Sequence, residues 1–398
     1  VALRLVYVEK MAAGEKSEGM GVPVDELRML GVAMQVKEDV PVHGVVGVDN
    51  FGTSSYDNWI GRATLQWLNP TRVDDAFTVN ALGSIAEPGA MYGAAGSYYR
   101  PFILDERAKG PFSEGALTLH GGYTEVDTED VVPEIDVEGT GWFAGIQGSL
   151  RLLENRMHRL DLSAGITYRS IENGLVVADD RLDAQKVDVA PISLALLYTG
   201  KGIDGWNGRN YGTLELVYNK NGFLGTSEGK EIQLQRDNAD EDFYLIGRAQ
   251  VARVQMLSFG DLKGVSGSPM LFMKLDGQWA ADPLIPAEQM GVGGHATVRG
   301  YEEREFLGDN AITGTLEFRT PIYLGILDRK SADAKGKPAG RYIAWDRTQL
   351  VFFFDFGWFQ LEDALGKGED DSEFLCSVGP GLRAAVGSNF QLRVDWGI

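Results

Sequence analysis

The chain of 398 residues is 44% hydrophobic and 10% aromatic, with 37 basic against 57 acidic residues and a net charge of −20. Such acidity excludes a nucleic-acid binder and a protein held by charge to anionic lipid, because both surfaces would repel it. No window reaches the run of about 18 uncharged apolar residues that a membrane helix requires, so helical spans are excluded; strands alternating between lipid and a wet interior escape that test.

The chain opens at VALRLVYVEK with no basic n-region, apolar h-region or cleavage site. It is expected to be a mature or trimmed piece whose export signal has been removed. Residues 1–40 combine a short strand pattern (Leu3, Leu5, Val6, Tyr7) with a helix expected from Pro23 to Met34. Below about 40 residues a fold seldom has a core of its own, so this stretch is read as the remnant of a periplasmic region and its linker.

Residues 41–398 form the second unit, a series of alternating segments of about ten residues separated by Gly, Asp, Asn and Pro clusters. In the second segment Trp59, Gly61, Ala63, Leu65 and Trp67 share one face, and Arg62, Thr64 and Gln66 the other. Farther on, Leu160, Leu162, Ala164, Ile166 and Tyr168 stand against Asp161, Ser163, Thr167 and Arg169. Near the end, Phe390, Leu392, Val394, Trp396 and Ile398 stand against Gln391, Arg393 and Asp395. Fifteen such segments begin near Val42, Trp59, Phe77, Met91, Leu117, Trp142, Leu160, Ile192, Tyr211, Phe243, Leu271, Ile312, Leu350, Phe374 and Phe390. Rings at segment ends (Trp59, Trp67, Tyr98, Tyr99, Tyr168, Tyr198, Trp396) match interfacial girdles, where an amphipathic ring sits between lipid and water.

The expected fold is therefore all-β, a transmembrane antiparallel barrel of about sixteen strands. Bacterial barrels have even strand numbers, and the alternation stops inside a strand pattern at Ile398, so the last strand is expected to lie beyond this chain.

Catalytic signals are missing. His43, His120, His158 and His295 are scattered singly, without HExxH spacing or a neighbouring nucleophile. The GVGG run at 291–294 lacks the GxxxxGK[ST] of a phosphate loop. Acidic clusters at Asp237–Asp242 and Glu369–Glu373 lack the spacing of a calcium cage and read as solvated loops. The lone Cys376 has no internal disulfide partner. Neither enzymatic activity nor a cofactor or metal is expected.

Two motifs carry more information. Residues 291–323 read GVGGHATVRGYEEREFLGDNAITGTLEFRTPIY, and residues 353–357 read FFDFG in a strand whose Phe352, Phe354 and Phe356 make an apolar face. That parity leaves Phe353, Asp355 and Gly357 pointing inward, and an inward Asp needs a partner. Val298, Arg299, Gly300 and Tyr301, followed by Gly308, Asp309, Gly314, Glu317 and Arg319, resemble the signature of the outer-membrane polypeptide-transporter and assembly-factor superfamily. Phe353, Asp355 and Gly357 resemble its Phe-x-Asp-x-Gly motif.

The resemblance implies that residues 298–301 are the tip of a long extracellular loop folded into the barrel, and that Arg299 is the partner of Asp355. Arg presents a rigid fork matched to a carboxylate, and glycines at 293, 294 and 300 permit a tight backbone path. The plainer reading is an ordinary lumen ion pair. In a wet lumen either one would contribute on the order of 1 kcal/mol or less, the weak latch of a conduit that must open. Glu317 and Arg319 share a face with Thr313 and Thr315, which leaves lumen lining and loop docking equally open.

Within the superfamily, the opening hairpin VHGVVGVDNFGTSSYDNWIGRATLQWLNP and the segment GSYYRPF are most similar to two-partner secretion transporters. Membership implies residence in the outer membrane of a Gram-negative bacterium, among lipid and lipopolysaccharide. It implies export of a partner polypeptide through the lumen past the Arg299 loop. With no nucleotide motif present, the drive would come from folding of the exported chain outside. That family carries two periplasmic polypeptide-transport-associated domains and a plug helix, neither complete here, so periplasmic or envelope partners stay open. Two alternatives share the motifs: an insertase or assembly factor of the same superfamily, and a structural barrel that docks other envelope proteins. A passive porin has no need of the VRGY loop.

Overall fold

The computed structural model describes residues 2–7, 32–37, 40–53, 57–104, 112–132, 135–177, 180–181, 185–236, 238–257, 268–322, 348–362, 372–386 and 390–398. Strand β1 (Ala2–Tyr7) pairs antiparallel with β2 (Val32–Lys37) in a separate two-stranded sheet. Of the helix expected from Pro23 to Met34, residues 23–31 lie outside the described residues. Its last three are strand instead, with Val32, Ala33 and Met34 opposite Tyr7, Val6 and Leu5. The period-two spacing of Val32, Met34 and Val36 suits a ladder, and cross-strand pairing overrides weak helix propensity.

The wall is a sheet closed into a barrel, with antiparallel neighbours from its first strand round to its last. Its first half comprises β3 (Val42–Asp49), β4 (Ile60–Leu68), β5 (Ala76–Ser84), β6 (Met91–Ile103), β7 (Glu114–Val132), β8 (Ile135–Glu154) and β9 (His158–Val177). The short β10 (Asp180–Arg181), β11 (Gln185–Val189) and β12 (Ile192–Lys201) all pair with β9, as one strand interrupted near Pro191. Next come β13 (Arg209–Lys220), β14 (Phe243–Met256) and β15 (Met270–Ala280). The short hairpin β16 (Met290–Val292) and β17 (Phe306–Gly308) lies apart from the wall. The wall resumes with β18 (Asn310–Pro321), β19 (Gln349–Gln360), β20 (Ser372–Val386) and β21 (Phe390–Asp395). Every segment start expected from the sequence falls in or beside one of these wall strands.

Alternation sorts side chains between two solvents. Trp67, Phe77, Tyr98, Leu119, Ile146, Ile166, Ile192, Tyr218 and Leu245 are successive directly opposed partners across nine strands, a continuous apolar band around the outside. Most of that band is solvent-accessible, including Trp67, Leu119, Ile146 and Ile192, which only a lipid surrounding makes favourable over so large an area. Trp142 and Tyr168 stack on the same face, with centroids 5.4 Å apart. Strands β7, β8 and β9 run 19, 20 and 20 residues. A span needs about ten, so they project well past one rim. Because strands alternate in direction, connections 221–242 and 281–309 and residues 361–362 after β19 all belong to that rim.

Candidate functional site

The connection 281–309 turns into the lumen, its base pinned where Met290, Gly291 and Val292 of β16 pair with Gly308, Leu307 and Phe306 of β17. The tip is held by its own bonds. Thr297 Oγ1 donates to Gly293 O at 2.7 Å and accepts from Gly293 N at 3.0 Å, while Gly294 N donates to Val298 O at 3.1 Å. Gly300 has φ +103°, which side chains avoid, and a Cβ there would stand 3.1 Å from the backbone of Gly397 just past β21.

Arg299 reaches Asp355 on β19. Nε donates to Oδ2 at 2.6 Å, Nη2 to Oδ1 at 2.8 Å, and the backbone N–H of Arg299 to Oδ2 at 3.2 Å. The remaining arm, Nη1, donates to Glu317 Oε1 on β18 at 2.6 Å and lies 3.5 Å from Asp395 on β21. The Phe353 ring lies beneath the guanidinium, 3.5 Å from centroid to Cζ. Glu317 thus takes part in docking; it also accepts from Arg319 Nε at 2.7 Å. Arg383 on β20 grips Asp395 with both arms, at 2.6 and 3.0 Å, and Arg393 adds a third bond at 2.7 Å. Four guanidinium groups and three carboxylates thereby link the loop tip to four successive strands.

This arrangement corrects the expectation of a weak, wet pair. Arg299 is 5% exposed and Asp355 fully buried. An apolar collar of Val292, Val298, Ala311, Phe359 and Leu375 lies beside them, and the Phe306 and Phe359 rings stack at 5.1 Å. In such surroundings, removing one partner leaves an uncompensated buried charge at a cost of about 3–5 kcal/mol, several times that of a surface pair. Gly357 has a steric role: a Cβ there would lie 2.5 Å from Val292 Cγ1 and 2.9 Å from Val298 Cγ2. The three inward positions of FFDFG thus supply a ring under the guanidinium, an anion for it, and a bare backbone for the valines.

The other motif residues divide. Tyr301 stays exposed at the tip. Gly308 leaves room for Phe359, whose Cβ would be 2.7 Å from an added methyl. Gly314 faces outward under the Phe356 ring, 2.3 Å from where a Cβ would stand, so it serves the lipid face. Asp309 is fully buried where β18 begins, away from Arg299 and bound to Arg236 at 2.7 and 2.8 Å.

The loop also touches the other side of the barrel junction. His295 stacks on Phe51, just after β3, with centroids 3.8 Å apart. Its Nδ1 and its backbone N–H both meet the Glu303 carboxylate. Burial alone would raise the Glu303 carboxyl, but the His295 hydrogen bonds and charge and the nearby Arg62 hold it below its ordinary 4.5. The loop tip therefore bridges the β21 side and the β3 side of the wall.

Sequence reasoning did not find Arg236, Arg383 or the His295 contacts. Asp395 showed itself only as an inward position. Of the acidic stretch, residues 238–242 behave as a turn, with Asp240 Oδ1 accepting from the backbone N–H groups of Asp242 and Phe243; Asp237 and residues 369–371 lie outside the described residues. Among the described residues no group of His, Cys, Asp and Glu side chains is disposed to hold a metal ion.

Comparison with known proteins gives a consistent answer. The profile of the haemolysin secretion/activation protein ShlB/FhaC/HecB family matches residues 31–332. The outer membrane transporter CdiB of Escherichia coli strain 536 is 24% identical over 294 residues, covering 70% of this chain and 44% of CdiB. Among solved structures, CdiB from Escherichia coli superposes with TM-score 0.70 at 17% identity, over 92% of this chain and 61% of that one. CdiB from Acinetobacter baumannii gives 0.62 at 14%, over 100% and 62%. BamA from Haemophilus ducreyi lacking POTRA domains 1–3 gives 0.52 at 11%, over 100% and 75%, a likeness of fold alone. The chain spans less than half the length of the curated relative.

Proposed function

Because the chain belongs to the haemolysin secretion/activation protein ShlB/FhaC/HecB family, we propose that it exports a partner polypeptide through its lumen by the two-partner route, with the 281–309 loop as the moving gate. It is an outer-membrane β-barrel of a Gram-negative bacterium. The observation that carries the gate is the buried attachment of Arg299 to Asp355 and Glu317. A loop fixed inside the lumen by one side chain on three carboxylates has two discrete arrangements, docked or released, and a polypeptide entering from the periplasmic side could trade its own contacts for those of the loop.

The family is one of secretion proteins, and in this reading the residues of the site act by binding. The exported chain is expected to pass extended and to fold outside, which makes passage directional without a nucleotide. Deleting residues 295–307, or changing Arg299→Ala, is expected to abolish secretion of the partner polypeptide while the barrel still assembles; undiminished secretion by both variants refutes the reading.

A further inference from the structure

The 221–242 connection folds over the lumen as a small lid. Its Ile232, in the one-turn helix α1 (Lys230–Gln233), and its Ala239 are buried with Val187 and Val189 of β11 and Ile285 of the inward loop. Val187 and Val189 pair with Ile171 and Arg169, the residues of β9 that alternate with the lipid-facing Ile166 and Tyr168, so this apolar cluster lies on the lumen side. The lid is also tied by charge. Arg236 donates to both oxygens of Asp309, to Leu284 O at 3.0 Å and to Glu362 O at 2.6 Å. Asp309 accepts in addition from the backbone N–H of Leu284 at 2.9 Å and of Glu362 at 2.8 Å. One buried ion pair thus joins three connections of the same rim, at the point where the inward loop re-enters the wall.

We propose that this lid holds the 281–309 loop in the lumen from above, with Arg236 as its positioning residue on Asp309, so that the barrel opens only when the lid and the Arg299 tip are both released. The proposal rests on the reading of that loop as the gate. Two closures in series multiply, so freeing one leaves the other limiting.

The test is single-channel recording of the full chain in planar lipid bilayers, comparing Arg299→Ala with the double variant Arg236→Ala/Arg299→Ala. The double variant is expected to open at least about tenfold more often than Arg299→Ala alone, and Arg236→Lys/Arg299→Ala to fall between them. A double variant within about twofold of Arg299→Ala overturns the lid. Heat-modifiable migration on gels verifies assembly. If Arg236→Ala does not assemble, Ile232→Ala, which empties the apolar contact and keeps every charge, enters the same comparison. Secretion by Arg299→Ala in cells tests the gate separately, because conductance requires no exported partner.

Discussion

Gly357 of β19 lies directly beneath Val298 of the loop tip: a single methyl on the glycine would stand 2.9 Å from Val298 Cγ2 and closer still to Val292. The wall residue two positions beyond the docking aspartate is thus bare because the loop, and not solvent, fills the space above it.

Gly357→Ala should therefore undock the loop without touching any charge. Overpacking of this kind costs about 1–3 kcal/mol, which falls on the docked arrangement alone because the released loop has no clash. Protease cleavage within 293–305 of the purified barrel should accelerate by about tenfold or more. Cleavage at the unaltered rate would show that the valines relax around the methyl.

Arg299→Lys separates charge from shape. Lysine keeps the positive charge but lacks the planar fork that contacts Asp355 through two arms and Glu317 through the third. Secretion is expected to drop nearly as far as in Arg299→Ala; wild-type secretion by the lysine variant would mean that charge alone suffices.

The Glu303 side of the loop gives a pH dependence of defined sign. Its carboxyl is held below 4.5 in the folded protein, so its contribution to docking is complete above that pH and is lost as pH falls through the lowered folded value. With both closures freed in Arg236→Ala/Arg299→Ala, channel openings in bilayers should rise on acidification below about pH 4.5, and adding Glu303→Gln should flatten that rise. The same rise in Glu303→Gln would place the titrating group elsewhere.

Ile146 lies in the outer apolar band, opposed by Leu119 and Ile166. Ile146→Arg should destabilise the folded barrel by about 2–4 kcal/mol in phospholipid, read as a shift in urea-induced unfolding. The inward neighbour Gln147 is the control, and Gln147→Arg should be tolerated; equal effects at both positions would contradict the assignment of faces.

Much of this architecture is legible in the linear pattern, because alternation in a strand is a local property: whichever face carries Phe352, Phe354 and Phe356, Asp355 must take the other. The wall strands and the inward direction of the FFDFG triad follow from that rule. Its limits are equally local. The sequence placed the start of β8 at Trp142 and the structure at Ile135, because residues that project beyond the membrane no longer need to alternate. Strands β10 and β11 went unseen beside Pro191, and the three-residue β16 and β17 are too short to show a period.

What only the tertiary structure decided is how far the loop is buried and what else holds it. Arg236 and Asp309 are separated by 73 residues and Arg299 and Asp355 by 56. No periodicity specifies which distant residues meet or whether water lies between them; that depends on the path of the loops. Alternation fixed the wall because each residue's direction follows from its neighbour's, whereas the dry clasp and the lid arise from contacts that exist only once the wall has closed around them.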